Sequence, residues 1–340
     1  MFDLTGRLSP RDNYLRLLKG DNPDYLCHIG EFSKGMFFDP LMMNYMTFAP
    51  GKTTKDRWGI SWKWIEGHAA GNPYITDETK VIKDIRHWDK YIDVPWPSKF
   101  DIDWTQAEID AKEFDRKNYI LLGCCFTGLF ELTHMLMGFE DALINYVTEP
   151  EAMGELLDVL CDFKLAYLKE LIDHTHPDMI HIHDDWGNKK NLFMNPTTWR
   201  KLLKPRWAKI YEYMKSRGVM IQHHADCVCA PIVEDMAEIG IDVWQGIIPQ
   251  NNIGDVQKRL KCSMALQGGI DGVVFDKKDW NELEVRTEVR RACNEYVPAG
   301  CFIPEIPNGQ PLTPGINDIV IDEMNIYGEH FFDRLKNNMK

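Results

Sequence analysis

The chain has 340 residues, of which 44% are hydrophobic and 27% charged, so it can bury a sizeable core without disulfides or other staples. Its formal net charge is −13, and lysine and arginine form no run longer than two residues. Because nucleic acids and anionic membranes are bound through clustered positive charge, this balance argues against both as partners. The apolar runs are also far shorter than the roughly 20 residues that span a bilayer.

The N-terminal stretch MFDLTGRLSPRDNYLRLLKG has no apolar segment behind a basic start, so it does not resemble a secretory signal. The nine cysteines are an odd number and are spread through strand-like segments, which favours free thiols in a reducing compartment. We therefore expect a cytoplasmic protein whose cysteines are unpaired, with some available as metal ligands.

Eight segments have the length and apolar content of β-strands. They are DYLCHIG (24–30), WGISWKW (58–64), YILLGCCF (119–126), MIHIHDD (179–185), GVMIQHHAD (218–226), IDVWQGI (241–247), SMALQGGID (263–271) and CFIPEI (301–306). Helical patterns alternate with strands in the second half, which is typical of a parallel sheet, and eight strands close a barrel. The sequence predicts an α/β fold, a single (β/α)8 TIM-type barrel over residues 1–340 with an N-terminal extension.

Helix signals support this interpretation. Thr148, Pro150 and Glu151 form a capping-box pattern ahead of a long segment whose apolar residues recur every three or four positions. Pro196 opens another helix, which Pro205 is expected to kink. We expect these helices to pack on the outside of the barrel.

In such a barrel the active site lies at the C-terminal ends of the strands, so polar residues that close an apolar run are the first candidates. By this rule the candidate catalytic residues are Asp185, His224 and Gln245. The candidate substrate contacts are His28, Glu31, Trp186 and Gln267.

In each of two pairs of neighbouring residues, only one side chain can face the site, because successive side chains of a strand point to opposite faces. His223 is expected to be structural and His224 to face the site, although a structural role for His224 also fits the pattern. Of Asp184 and Asp185, one is expected to face the barrel mouth and the other to cap a following segment, and we favour Asp185 for the mouth.

Two interpretations remain open for each of the other candidates. Gln245 either caps a loop or contacts the substrate. His28 and Glu31 either line the site or cap a loop, and Trp186 forms either a pocket wall or part of the core.

Four motifs occur in order in the second half of the chain. They are His224-Ala-Asp226-Cys227, Glu238-Ile-Gly240-Ile-Asp242, Gly268-Gly269-Ile270-Asp271 and Ala299-Gly300-Cys301-Phe302-Ile303-Pro304. Together they resemble the uroporphyrinogen decarboxylase superfamily, over about residues 120–330. The resemblance is closest to the corrinoid-dependent methyltransferase branch. It implies a barrel that transfers a methyl group between a small substrate and the cobalt of a corrinoid.

In the thiol-methylating members of that branch, zinc is bound by an H-x-C pair and a cysteine roughly 75 residues further on. Asp226 and Cys301 are 75 positions apart. The resemblance therefore implies a Zn²⁺ site formed by His224, Asp226 and Cys301, in which aspartate replaces the first cysteine. Cys227 and Cys229 form a C-x-C arrangement that is either a further ligand pair or two thiols at a helix start.

A second spacing, Glu140, Glu155 and His176, resembles an E-x14-E-x20-H pattern proposed for zinc in the ether-cleaving methyltransferases of O-demethylase systems. The alternative is that Glu140 and Glu155 are solvated charges on helices, and we favour it because both lie outside the predicted strand ends.

Decarboxylases of the superfamily carry an N-terminal R-Q-A-G-R motif that binds the acidic porphyrinogen, and DYLCHIGEFSKG stands in its place here. This difference disfavours a polycarboxylate substrate. A D-x-H-x-x-G corrinoid signature is also lacking in the sequence, so the corrinoid is expected to arrive on a separate partner protein. The resemblance is also compatible with a homodimer.

Aspartate in a ligand position favours an oxygen-linked methyl donor, such as an aromatic methyl ether, over a thiol. The alternatives are a methylcorrinoid:thiol methyltransferase, a uroporphyrinogen decarboxylase-like lyase and a non-catalytic platform for a corrinoid protein.

Overall fold

The structure is a computed structural model that describes residues 7–46, 49–65, 71–307 and 312–338, with side chains as far as residue 332. The strands are β1 (Met36–Phe37), β2 (Thr53–Lys55), β3 (Ser61–Lys63), β4 (Asn72–Pro73), β5 (Leu122–Cys125), β6 (Met179–His183), β7 (Met220–His224), β8 (Val243–Ile247), β9 (Ala265–Gly269) and β10 (Phe302–Glu305).

The α-helices surround these strands. They are α1 (Pro10–Lys19), α2 (Ile29–Phe32), α3 (Pro40–Tyr45), α4 (Thr105–Glu113), α5 (Leu129–Met137), α6 (Phe139–Thr148), α7 (Pro150–Thr175), α8 (Pro196–Leu202), α9 (Lys204–Ser216), α10 (Val233–Glu238), α11 (Ile253–Leu260), α12 (Glu282–Tyr296) and α13 (Ile316–Asn338).

Seven strands form one sheet in the order β1-β5-β6-β7-β8-β9-β10, and every neighbouring pair is parallel. From β5 onward each strand is followed by helical segments, and residues of β5 and β9 are buried along their whole length. Burial on both faces is what a parallel sheet covered by helices requires. The predicted α/β barrel architecture is confirmed.

Two of the eight predicted barrel strands are wrong. Residues 24–28 form no strand, although Tyr25, Leu26 and Cys27 are buried and Asn13 holds the backbone of Tyr25 through its side chain. Residues 58–64 contain β3, which pairs antiparallel with β2 and β4 in a separate small sheet. The barrel sheet starts instead at β1, so seven paired strands are present in the described residues rather than eight.

The two helix predictions agree with the structure more closely than the strand predictions do. A helix does begin at Pro150, but its N-cap is Glu149, and the hydroxyl of Thr148 donates to the carbonyl of Ile144 instead of capping. Near Pro205 the chain is divided into α8 and α9. This break agrees with the steric effect of proline on the preceding turn.

The cysteines differ from the expectation at one place. Cys262 and Cys301 form a disulfide, while the other seven cysteines are free and buried. The disulfide joins the residues just before β9 and β10, at the amino ends of the barrel strands.

A search of the helices in the described ranges finds none that combines the length and the apolar character needed to cross a bilayer.

Candidate active site

The register of the sheet brings polar residues together at the carboxyl ends of three neighbouring strands. His183 of β6 lies opposite His224 of β7, and His224 lies opposite Gln245 of β8. Asp185 and Asp226 follow two residues after these histidines, and the backbone N–H of Asp226 donates to Asp185 Oδ1 at 3.1 Å. The structure therefore places the predicted residues Asp185, His224, Asp226 and Gln245 in one cluster.

A chain of hydrogen bonds fixes the orientation of His224. Its Nδ1 and Gln245 Oε1 are hydrogen-bonded, and Gln245 Nε2 donates to Glu305 Oε2 at 2.6 Å. Because the glutamate accepts from the amide nitrogen, the amide oxygen must face the imidazole and accept from Nδ1–H. Nε2 of His224 is then unprotonated, which is the form of histidine that binds a metal.

Burial favours the neutral form of this histidine. His224 is 7% exposed, and burial, followed by the nearby imidazole of His183, holds the pKa of His224 well below its usual range. Gly246 packs against the same ring, since a Cβ on Gly246 would be 3.1 Å from His224 Nδ1. His224 is thus held both in position and in protonation state.

Three side chains of the cluster are close enough to bind one metal ion. The ligand atoms of Asp185, His224 and Asp226 all lie within 4.8 Å of one another. One imidazole and two carboxylates form a donor set that suits zinc and similar divalent ions. This group supports the predicted ligands His224 and Asp226, with Asp185 as the third residue.

A second group overlaps the first. The ligand atoms of Glu131, His183 and Asp185 also lie within 4.8 Å of one another. His183 Nδ1 and Glu131 Oε2 are 2.9 Å apart, and the His183 ring stacks on His224 with centroids 4.4 Å apart. Burial alone would lower the pKa of His183, but the carboxylate of Glu131 opposes it and raises this pKa to about 9.

For the two aspartates of the cluster, burial affects the pKa more strongly than the neighbouring charge of His183 does. Burial raises the pKa of Asp185 to about 7, although the charge of His183 acts against this rise. Burial likewise raises the pKa of Asp226. Ionised carboxylates are therefore costly at this mouth unless a cation neutralises them, which a bound metal ion would do.

A network of polar side chains lies below the cluster, inside the barrel. Gln222 Oε1 bonds His181 Nδ1 at 2.8 Å, and Gln222 Nε2 donates to Gln267 Oε1 at 3.2 Å and to the hydroxyl of Tyr14 at 3.4 Å. Burial lowers the pKa of His181 to about 4, so this histidine is neutral. The candidate Gln267 belongs to this network and is 1% exposed, and its contact with substrate remains a prediction.

The neighbours His223 and Asp184 are structural, as predicted. The ring of His223 bonds the hydroxyl of Tyr211 at 2.7 Å and the carbonyl oxygen of Asp184 at 3.2 Å. The Asp184 carboxylate accepts from the backbone N–H groups of Phe130 and Glu131, at the start of α5. It therefore caps α5 instead of facing the mouth.

Trp186 is wrong as a substrate contact. It is fully buried, its ring stacks on His223 at 4.2 Å, and its indole N–H donates to Asp184 at 2.7 Å. These partners are the structural residues described above, and the His223 ring contacts Tyr211 of α9, so of its two interpretations the core fits the structure. His28 and Glu31 are partly buried at α2, and their contact with substrate remains a prediction.

Cys301 is wrong as a metal ligand. It precedes β10, so it lies at the amino end of the strand whose carboxyl end carries Glu305. Four strand residues separate these ends by about 13 Å. Cys301 is also joined to Cys262 and thus has no thiolate to offer. His224 and Cys301 are at opposite ends of the barrel, because one closes its strand and the other begins it.

The spacing of Glu140, Glu155 and His176 does not form a metal site either. Glu140 is an exposed residue of α6, Glu155 is exposed near the start of α7, and His176 caps the other end of α7. Glu155 and His176 are 21 positions apart, which corresponds to about 31 Å along a helix. These groups are solvated helix charges.

Cys227 and Cys229 lie directly after Asp226, with their sulfur atoms 3.4 Å apart. Both are buried, and they are in neither of the two ligand groups that the described residues form. A structural role for this pair therefore fits better than metal binding.

The sequence interpretation missed Glu131, His183 and Glu305. Glu305 closes β10 and follows the same strand-end rule that selected Asp185. His183 stood in the quoted segment MIHIHDD, two positions from His181 and on the same strand face. Glu131 lies in the first turn of α5, where no sequence signal distinguishes it from an ordinary helix-start carboxylate.

Comparison with known proteins places this site in a family. The family model described as uroporphyrinogen decarboxylase (URO-D) matches residues 58–303, which is well over half of the chain. The chain belongs to the uroporphyrinogen decarboxylase family. The superfamily resemblance predicted from the four motifs is thereby confirmed.

Individual members of the family match shorter segments. A protein of Magnetococcus marinus named uroporphyrinogen decarboxylase is 33% identical over 125 residues, 36% of this chain and 34% of that protein. Another of that name, from Saccharophagus degradans, is 25% identical over 202 residues, 54% of this chain and 51% of that protein. The chain thus aligns with between about a third and a half of these relatives' length.

Among solved structures, a methyltransferase from Methanosarcina mazei superposes with a TM-score of 0.62 at 14% identity, over 94% of this chain and 99% of that one. At this level of identity the likeness shows a shared fold.

Proposed function

We propose that this member of the family is a methyltransferase that moves a methyl group from an aromatic methyl ether to the cobalt of a corrinoid on a separate protein. The observation that carries the proposal is the group Asp185, His224 and Asp226 at the carboxyl ends of β6 and β7. The likeness of fold to a methyltransferase is consistent with it.

The residues fit a zinc ion, because two carboxylates and one neutral imidazole are competent zinc ligands and their ligand atoms converge. Zn²⁺ bound there would act as a Lewis acid that stabilises the oxygen left without its methyl group. This donor set is richer in oxygen than the thiolate-rich sites that suit thiol substrates, and it favours the ether over the thiol.

The chain's own side chains perform the positioning. Gln245 and Glu305 hold His224 with Nε2 directed away from the amide, and the backbone of Asp226 holds one oxygen of Asp185. Because the side chains below the mouth hydrogen-bond one another and are buried, bulk water is excluded from the underside of the site. The donor is then bound with its methyl group toward the open mouth, where the partner's corrinoid must approach.

Uroporphyrinogen decarboxylation is the second candidate, since the named relatives carry that description. Its substrate bears several carboxylates, which require cationic partners. The mouth instead presents Glu131, Asp185, Asp226 and Glu305. This excess of carboxylates opposes binding of a polyanion.

The test is methyl transfer to a corrinoid protein reduced to cobalt(I), followed by its absorbance, with a panel of methoxylated aromatics, methylamines and methylated thiols. We expect turnover with a methoxylated aromatic, loss of turnover in Asp226→Asn, and normal turnover in the control Glu140→Gln. Efficient decarboxylation of uroporphyrinogen without any methyl transfer would overturn the proposal. Binding of the corrinoid protein without turnover of any donor would instead identify a docking platform.

A further inference from the structure

A short motif occurs twice at the mouth of the barrel. His183-Asp184-Asp185 closes β6 and His224-Ala225-Asp226 closes β7, so each strand ends in the pattern His-x-Asp. The two histidines are direct partners across the parallel strands, and their rings stack at 4.4 Å with an interplanar angle of 21°. Equivalent ligand pairs therefore stand side by side, but the proposed zinc site uses only one histidine.

The two ligand groups share one residue. Asp185 belongs both to the group with His224 and Asp226 and to the group with Glu131 and His183. Each group then has one imidazole and one carboxylate of its own, and Asp185 lies between them. A carboxylate has two oxygens and can bind one ion through each, as in two-metal sites whose ions are about 3.5–4 Å apart.

We propose that the mouth binds a second divalent cation through Glu131 and His183, and that Asp185 bridges this ion to the one held by His224 and Asp226. The inference rests on the proposed metal site and extends it from one ion to two.

The donor atoms match such an ion. Nδ1 of His183 and Oε2 of Glu131 are 2.9 Å apart. Two ligands at about 2.0–2.1 Å from one tetrahedral zinc ion are roughly 3.3 Å apart, so a small opening of this pair admits the ion. The cation takes the place of the proton that the two atoms share in its absence.

The charge of the site is compatible with two ions. Glu131, Asp185 and Asp226 carry three negative charges when ionised, and the imidazoles of His183 and His224 carry none when they bind metal. One divalent ion held by His224 leaves this set neutral while His183 keeps the proton that it shares with Glu131, whereas a second ion in place of that proton gives +1. A net positive charge suits the oxyanion product of ether cleavage.

The donor set also indicates the kind of cation. One imidazole and two carboxylates for each ion suit Zn²⁺, Mn²⁺, Fe²⁺ or Co²⁺, whereas Mg²⁺ prefers sites made of oxygen alone. We therefore expect zinc and manganese, and not magnesium, to fill both positions.

The experiment is metal stoichiometry of the full chain. The protein is stripped with a chelator, loaded with Zn²⁺ or Mn²⁺, dialysed and analysed for metal by mass spectrometry. We expect two equivalents per chain, and an exchange-coupled pair in the electron paramagnetic resonance spectrum of the manganese form. One equivalent with the signal of isolated Mn²⁺ would overturn the inference, and this result does not depend on whether any variant folds.

Variants then assign the two ions. His183→Asn is expected to retain one equivalent and lose the coupled signal, and Asp185→Asn is expected to lose both ions. Glu140→Gln, which changes an exposed helix carboxylate, should retain two. A folded His183→Asn protein that still binds two equivalents would contradict the assignment of the second ion to this histidine.

The outcomes separate this inference from the proposed function. One bound equivalent with intact methyl transfer would overturn the second ion and leave the methyltransferase proposal standing. Two bound equivalents without transfer from any donor would support the second ion and overturn the methyltransferase.

Discussion

At the scale of single residues, the site depends on the hydrogen-bonded chain from His224 through Gln245 to Glu305. Residues that orient a metal-binding histidine set its tautomer and its basicity, and they are worth a large share of the affinity. Gln245 was predicted as a catalytic residue, and in the structure its amide contacts His224 and Glu305. We propose that it acts by positioning His224.

Replacing Gln245 by methionine keeps the size of the side chain and removes both hydrogen bonds. Because Nδ1 of His224 then loses its acceptor, we expect the zinc affinity of the chelator-stripped protein to fall by about 10–100-fold. Competition with a coloured zinc indicator measures this affinity. Gln106→Met, on the exposed face of α4, is the matched control and should bind zinc as the parent protein does. An unchanged affinity in Gln245→Met would show that this amide does not position the ligand.

Glu305 gives a prediction for the pH dependence of stability. Burial raises its pKa to about 6, although the hydrogen bond from Gln245 opposes the rise. A carboxyl whose folded-state pKa is raised favours folding when it is protonated, at low pH, and this contribution is lost as the pH rises through about 6.

We therefore expect Glu305→Gln to gain stability relative to the parent protein as the pH rises. Between pH 5 and pH 7.5, the difference in the free energy of unfolding should change by about 1 kcal/mol in favour of the variant. Urea unfolding of both metal-free proteins at these two pH values measures it. A difference that does not vary with pH would mean that Glu305 has an ordinary pKa.

Most of the cluster could be predicted because a strand end is visible in a sequence. Asp185, His224, Asp226 and Gln245 each close an apolar run, and the structure brings them together. Cys301 was chosen from a motif spacing instead, and it begins its strand. Glu131 could not be found in this way, because its contact with His183 joins residues 52 positions apart on different elements.

At the scale of elements, the strands that sequence could identify are β5 to β10, which are buried along all or most of their length. β1 has two residues and thus no pattern to detect, while Tyr25, Leu26 and Cys27 are apolar and buried without belonging to a strand. Residues 58–64 are rich in tryptophan and were predicted as a strand, and β3 does form there. Nothing in their composition, however, distinguishes a strand of a small antiparallel sheet from a strand of the barrel.

The connection between β5 and α5 depends on one glycine. A Cβ on Gly128 would be 2.1 Å from Asp184 Cβ, and Asp184 caps α5 and accepts from two tryptophan side chains. Gly128→Ala should therefore separate α5 from its cap and reduce the free energy of unfolding by about 3 kcal/mol or more.

Thermal unfolding followed by circular dichroism measures this loss. Gly254→Ala in α11 is the control, because its Cβ would meet no atom within 4 Å and alanine favours a helix interior. We expect this control to be as stable as the parent or slightly more so. Equal stability of the Gly128→Ala protein would contradict the close packing at Asp184.

At the scale of the whole molecule, the two ends of the barrel carry different features. The carboxyl ends of the strands carry the titratable cluster, and the amino ends carry the Cys262–Cys301 disulfide. This division is the one expected for barrels of this type, in which one face performs chemistry and the other contributes stability.

Cys301→Ser tests the division. Because the disulfide closes a loop between residues 39 positions apart, its removal should lower the free energy of unfolding by about 2–4 kcal/mol. The metal content should remain unchanged, since Cys301 lies at the other end of the barrel. Metal analysis and urea unfolding of the same sample give both values. A loss of metal from a folded Cys301→Ser protein would contradict the placement of the site.

In the proposed function, the group Asp185, His224 and Asp226 supports methyl transfer from an aromatic ether to a corrinoid. The most direct measurement uses a methoxylated aromatic with a deuterated methyl group, the metal-loaded protein and a cobalt(I) corrinoid protein, with mass spectrometry of both products. We predict the label on the corrinoid and one demethylated phenol for each label transferred, with both products absent in Asp226→Asn and in the chelator-stripped protein. Label on the corrinoid at the same rate without metal, or no transfer from any methoxylated aromatic, would contradict the proposed function.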